Sequence, residues 1–286
     1  MRKFNANIEL VVLISDFKEL DQANLPAGLK IIFYNELSSS GVGAEILTKY
    51  HQQEHDAYRW SMKPVLIDYL LQRYQKVIYT DSDIHFFSDY DFLLRLLDEH
   101  DVIVSPHFRS SNPHIESKNF FLQYYAGLYN GGFVASSKGG QQAMRWWAEA
   151  CSFVCKKDAT LGQFDDQTHL NLIPVFFDKV NILKHRGCNV ANWNQVECKR
   201  QLVDNKLVIN DGVPIVFIHF TASTIRGILN GSDRLLLPFL AIYDERLREN
   251  GLEKSIMDIR NEVPDSTFFK RILKKAKKRL MFKSFS

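Results

Sequence analysis

Short apolar runs alternate with helix-like stretches along most of this chain, and that alternation admits few architectures. Runs rich in Val, Ile, Phe and Tyr occur at residues 8–14, 29–34, 76–80, 102–105, 132–135 and 215–220, and each reads as a strand. Helix-like stretches lie between them at 62–73, 90–99, 140–154 and 166–172. The pattern predicts an α/β domain with a mostly parallel sheet and flanking helices. Pro64 is expected in the first turn of its helix, where a missing N–H costs little. Ser232 reads as the cap of a helix over 233–248, with Gly251 as its stop. Residues 108–125 are polar and aromatic without a clean period, and read as a long loop able to cover a site.

Composition narrows the class. A chain of 286 residues with 45% hydrophobic and 24% charged content can bury a large core and is not disordered. There is no run of eighteen apolar residues, so no spanning helix is expected, and the first residues make a poor secretory signal. The four cysteines contain no C-x-x-C pair. Cys151 and Cys155, four apart on a helix, are expected to face the core as reduced thiols of a cytoplasmic protein rather than to hold zinc.

The run Lys76-Val77-Ile78-Tyr79-Thr80 ends in Asp81-Ser82-Asp83. Residues i and i+2 of a strand share a face, so the two carboxylates are expected to point together. Side-by-side carboxylates repel unless a cation or a shared proton relieves them. A divalent-metal site is one reading, and a solvated strand-to-turn junction is the other. Two later segments add context. Tyr129-Asn130-Gly131-Gly132-Phe133 puts two glycines at the mouth of a strand, where a ligand can approach the backbone closely. His219 ends the 215–219 run and is a candidate third ligand. Two carboxylates and an imidazole suit Mn²⁺, with Mg²⁺ acceptable.

In this order the segments resemble a family. Trp60, Lys63-Pro64, Asp81-Ser82-Asp83, Asn130-Gly131-Gly132, Asp165-Asp166-Gln167, the 187–194 run and Ile218-His219-Phe220 are similar to those of GT-A-fold nucleotide-sugar glycosyltransferases. The likeness is to bacterial enzymes related to glycogenin and the lipopolysaccharide galactosyltransferases. The resemblance implies a Rossmann-like GT-A fold and transfer of a sugar from a nucleotide-diphosphate donor, a UDP-sugar, to a glycan or glycolipid in lipopolysaccharide or capsule synthesis. It implies Asp81, Asp83 and His219 on Mn²⁺, with Asp81 also near the ribose. Lys63 would meet the donor phosphates or sugar, and Asn130, Gly131 and Gly132 the sugar pocket. Asp166 and Gln167 would contact the transferred sugar and serve catalysis, and Trp193 and Asn194 would wall the site.

Two departures stand out. The family's glycine and lysine after the histidine are replaced by Ala222 and Ile225, leaving the neighbouring Arg226 for the phosphates. The chain also starts on what looks like the family's second strand, so the usual first strand and helix are expected to be lacking. Two alternatives remain. A haloacid-dehalogenase-type phosphatase would use Asp81 as nucleophile and Asp83 as acid/base, with Ser105, Lys138 and Asp165/Asp166 in support. A degenerate GT-A domain would keep the fold without catalysis.

The formal charge of +3 hides an asymmetry. Residues 266–286 carry eight Lys or Arg and no acid, which leaves the rest with 28 basic against 33 acidic residues. Phe268, Phe269, Ile272, Leu273, Ala276 and Leu280 recur at three- and four-residue steps after a Ser266 cap. Such a basic amphipathic helix suits an anionic membrane surface, which implies a peripheral protein on the cytoplasmic face. An acidic body argues against nucleic acid as a partner. The expected organisation is a catalytic domain over 1–230, a helical segment over 231–264 and the basic tail over 265–286.

Overall fold

The computed structural model describes residues 1–15, 28–51, 55–251 and 255–257. The chain divides into two compact units, Met1–Thr224 and Ile225–Ser286. The basic tail lies outside the described residues.

The first unit opens with β1 (Leu10–Ile14) and β2 (Leu29–Phe33), a parallel pair. Helices α1 (Tyr34–Leu37), α2 (Gly41–Tyr50) and α3 (His55–Leu71) follow. Next come β3 (Lys76–Thr80), β4 (Ile84–Phe86), α4 (Asp91–Glu99), β5 (Val102–Pro106) and α5 (Ser117–Ala126). Strand β6 (Tyr129–Ser137) and α6 (Gln141–Phe153) complete the middle of the unit. A short hairpin, β7 (Lys157–Asp158) with β8 (Gln163–Phe164), precedes a 3₁₀ turn at Gln167–Leu172 and α7 (Ile173–Phe176). Strand β9 (Val180–Ile182) is followed by an antiparallel meander of β10 (Arg200–Val203), β11 (Lys206–Ile209) and β12 (Val213–Pro214). Finally β13 (Phe217–His219) pairs antiparallel with β4, before α8 (Ala222–Leu229), which crosses the unit boundary.

The central sheet has the order β3-β6-β5-β9. Strand β6 is antiparallel to both neighbours, and only β5 and β9 run parallel, so the sheet is mixed rather than mostly parallel. The cause is the route of the chain. It leaves β5, passes through α5 and returns directly beside β5, and that return reverses its direction.

Alternation along β5 and β6 divides the core. Val102, Val104 and Val134 face one cluster with Met62, Ile67, Leu71 and Trp147 from α3 and α6. Ile103, Phe133 and Ala135 face the other, with Leu93 and Leu97 of α4 and the Phe86 and Phe217 rings. Period-two alternation sends successive side chains to opposite faces, and apolar residues at both parities bury the sheet on both sides. Each such aliphatic side chain contributes about 2 kcal/mol through burial. Cys151 and Cys155 are free thiols in the first cluster, as their spacing indicates.

Three local expectations are corrected. Pro64 lies inside α3, not in its first turn, because the helix begins at His55; it cannot donate to the carbonyl one turn earlier, and dense packing of α3 offsets that loss. Residues 117–126 are helical although they lack a clean apolar stripe, and Gly127, at φ +87°, ends the helix. In the second unit, Ser232 donates to the Gly227 carbonyl instead of capping the next helix. That helix, α9 (Leu237–Glu249), has Pro238 in its first turn, and Gly251 follows its end at φ +94°. Asp244, buried on α9, accepts hydrogen bonds from Ile256 N (2.8 Å) and Ser255 Oγ (2.9 Å).

Candidate metal and donor site

Strand β3 ends at Thr80, so Asp81-Ser82-Asp83 forms the turn into β4 instead of a continuing strand. The carboxylates nevertheless converge, because two ladders meet there. Thr80 is opposite Phe133 on β6, and Asp81 N donates to Gly132 O at 2.8 Å. On the other side Ile84 is opposite His219, and Phe220 N donates to Asp83 O at 2.8 Å. Ligand atoms of Asp81, Asp83 and His219 consequently all lie within 4.8 Å of one another. No other such cluster of three His, Cys, Asp or Glu exists among the described residues.

The two glycines serve this convergence. A Cβ on Gly132 would sit 2.5 Å from His219 Cε1 and 3.0 Å from Asp81 Oδ2. One on Gly131 would sit 2.6 Å from Asp166 Oδ2. The backbone is thus bare so that the site's own side chains can close over it.

Lys63 is the buried cation of the site. Its ammonium lies 3.2 Å from Asp81 Oδ1 and 3.3 Å from Asp166 Oδ2, and donates to Gly131 O at 3.1 Å. Burial works against its charge, but the Asp166 and Asp81 carboxylates outweigh that and hold its pKa well above the usual lysine range. Burial pushes Asp166 up to about 7, with Lys63 opposing. Asp165 lies beside it at φ +56°, pushed up to about 6 by burial and paired with Lys157 at 3.1 Å. The Lys157 ammonium in turn sits over the Trp60 ring, 4.4 Å from its centroid.

A divalent cation fits the donor set. Gly132 N donates to Asn130 Oδ1 at 3.0 Å, which fixes that atom as the amide oxygen. His219 Nδ1 faces the same oxygen at 3.2 Å and must carry its proton to donate. Its Nε2 then faces Asp83 Oδ1 at 2.9 Å, an approach that requires either a proton or a cation between two electron-rich atoms. Burial works against the Asp83 charge, but the His219 hydrogen bond outweighs it and holds the carboxyl below its usual range. Tyr79 adds a phenol hydrogen bond to Asp81 Oδ1 at 2.8 Å.

The remaining expected residues are placed as follows. Gln167 spans Gly131 N and Ala126 O. Trp193 packs edge-on to His219 at 5.5 Å, and its buried Nε1 has no hydrogen-bond partner among the described residues. Asn194 does not present its amide to the site; it is fully buried and spent on Ala191 N, Asn189 O and Arg200. Arg226 lies on α8 in the second unit. Lys138 follows Ser137, which is opposite Lys76, so it sits at the far end of the ladder from Asp81 and cannot serve the phosphatase reading. His107, Tyr79 and Lys157 contact these groups and were not singled out from sequence; the His after Pro106 at a strand end was the available signal.

Beside this cluster opens a cavity of about 910 Å³, lined by Leu10 and Val12 of β1, Trp60 and Lys63 of α3, and Asp81 and Asp83. The family model for nucleotide-diphospho-sugar transferases matches residues 45–203, a span that contains α3, the Asp81–Asp83 turn, Asn130–Gly132 and Asp166. The chain belongs to this family. The nucleotide-diphospho-sugar transferase is 27% identical over 239 residues to the uncharacterized protein YfnF of Bacillus subtilis (strain 168), covering 77% of this chain and 76% of that one. It is 26% identical over 190 residues to YfnD of the same strain, also uncharacterized, covering 63% of this chain and 58% of that protein. Among solved structures, the apo form of mouse xyloside xylosyltransferase 1 aligns with a TM-score of 0.42 at 11% identity, covering 71% of this chain and 79% of that one. The family establishes a glycosyltransferase of the GT-A type with a nucleotide-sugar donor, as the motifs implied, and displaces the phosphatase reading.

The Asp166 carboxyl gives the transferase a measurable pH signature. Folded, it keeps its proton to about pH 7; its ordinary pKa is 3.8. Between those values the folded chain holds a proton that the unfolded chain has lost. The associated stability is therefore complete at low pH and is lost as pH rises to 7. Urea unfolding of the metal-free protein should lose up to about 1.4 kcal/mol per pH unit from this group between pH 5 and 7. Asp166→Asn should flatten that slope, and an unchanged slope in the variant contradicts the assignment.

Proposed function

We propose that this glycosyltransferase moves a hexosyl group from a UDP-sugar to a glycan or glycolipid acceptor with Mn²⁺ (or Mg²⁺) held by Asp81, Asp83 and His219. The observation that carries the reading is the convergence of these three side chains, two of which, Asp81 and Asp83, line the 910 Å³ cavity. Its size suits a nucleotide, and Lys63, Asp81 and Asp83 bring charged groups to its wall. When bound, the cation offsets charge on the departing nucleoside diphosphate as the glycosidic bond breaks.

The chain's own residues have distinct tasks in this scheme. Asp81 and Asp83 orient the diphosphate end of the donor, while the β1 and α3 walls shelter the nucleoside. Lys63 keeps Asp81 and Asp166 in place and brings positive charge toward the phosphate-to-sugar linkage. Asp166 and Gln167, held over Gly131, bind the hydroxyls of the transferred sugar. Trp193, packed edge-on against His219, walls that side of the site.

Incubation with a panel of nucleotide sugars and Mn²⁺ should release nucleoside diphosphate slowly, and EDTA should stop it. Asp83→Asn should lower the rate at least about 100-fold, in line with loss of a metal-assisted electrostatic term. Release that persists in Asp83→Asn or in EDTA counts against a metal-dependent reaction.

An acceptor in a membrane, such as a lipopolysaccharide or capsule precursor, is proposed from the basic amphipathic tail, with the protein peripheral on the cytoplasmic face. No described helix is long and apolar enough to cross a membrane. Deleting residues 268–286 should abolish sedimentation with phosphatidylglycerol vesicles while leaving nucleotide-sugar hydrolysis in place. Equal sedimentation of the shortened chain would overturn this part of the proposal.

A further inference from the structure

His107 stands just beyond β5, 2% exposed, and takes no part in the scheme above. Its Nδ1 lies 3.1 Å from Gly127 O, a group that only accepts, so Nδ1 carries the ring proton. Its Nε2 lies 3.3 Å from Asn130 Nδ2. The amide nitrogen is the donor there, because Asn130 Oδ1 is already fixed by the Gly132 N–H. Burial, with Arg109 nearby, holds His107 well below the usual histidine range, so the ring is neutral. Every atom in the series then has one consistent role: Gly127 O accepts from His107, His107 accepts from Asn130, and Asn130 accepts from His219 Nδ1–H.

The Trp193 ring braces the same pair of histidines. It meets His107 edge-on at 5.5 Å and His219 edge-on at 5.5 Å. The indole therefore packs against both imidazoles, and His219 lies close against the bare Gly132 backbone of β6.

We propose that His107 is a positioning residue for the metal site: through Asn130 it locks His219 in the Nδ1–H form, so that Nε2 is the atom presented to a divalent cation. The inference rests on the metal reading above and concerns how this chain prepares its imidazole ligand. An imidazole ligand whose other nitrogen donates to a fixed acceptor is held in one tautomer and one orientation, and loss of such a partner commonly weakens metal affinity about 10- to 100-fold. Here the acceptor is an amide, which could present either end, and the Gly132 N–H on its oxygen and the buried His107 ring on its nitrogen together hold the oxygen toward His219.

The test uses the full chain and Mn²⁺ itself, with binding followed by the loss of the free-ion electron paramagnetic resonance signal. His107→Leu, which can neither donate to Gly127 nor accept from Asn130, should weaken Mn²⁺ binding about 10- to 100-fold. His107→Gln, which retains one donor and one acceptor, should stay within about threefold of wild type. Near-wild-type binding in a folded His107→Leu, with the wild type binding well, overturns the inference while leaving the metal site intact. Absence of Mn²⁺ binding by the wild type removes the metal reading and this inference with it. Should His107→Leu fail to fold, ¹⁵N resonances of His219 in the wild type with Mg²⁺ and UDP decide instead. A proton on Nδ1 supports the lock, and a proton on Nε2 refutes it.

Discussion

The antiparallel placement of β6 beside β3 is the constraint on which the site depends. It sets the first residues of β6 against the last residue of β3, and Asp81 N closes the ladder on Gly132 O. Were β6 parallel to β3, Asn130, Gly131 and Gly132 would lie about four residues, roughly 13 Å, from the aspartates. The reversed direction brings the bare glycine backbone, the Asn130 amide and the buried Asp166 to one edge. The β4–β13 pair then adds His219 from the other side. Two short ladders, each ordinary, bring the Asp81–Asp83 turn and the distant His219 together.

Charge balance decides how that edge is arranged. Three carboxylates, Asp81, Asp83 and Asp166, gather around Lys63 and His219. Removing charge from water is costly, and burial without partners would drive each group to its neutral form. Lys63 satisfies Asp81 and shares Asp166, whose carboxyl is still raised to about 7. Asp83 instead leans on His219, whose other nitrogen is committed to Asn130. The arrangement leaves one opening for a cation, between Asp81, Asp83 and His219, next to the cavity assigned to the nucleotide.

Much of this was legible in the residues. The strand runs, the grouping of Asp81, Asp83 and His219 and the family followed from local pattern and motif order, because each depends on residues near one another or on their sequence along the chain. The sheet direction was not legible, since the length of the 107–128 connection permits either a crossover or a return beside β5. Helix α5 escaped notice because Phe121 and Tyr124 are exposed on it, which blurs the apolar stripe. Asn194 was read as a wall of the site, whereas its amide is absorbed by the backbone of its own loop. His107 carries only a weak signal, its place after a strand end, because a lone histidine makes no motif and its contact with the site runs through Asn130.

The central claim is that Asp81, Asp83 and His219 Nε2 share one divalent cation at the nucleotide cavity. Anomalous diffraction from crystals grown with Mn²⁺ and UDP tests it directly. The account predicts a single strong peak about 2 Å from one oxygen of each aspartate and from His219 Nε2. A peak bound through His219 Nδ1, or no peak between these side chains while UDP occupies the cavity, would contradict it.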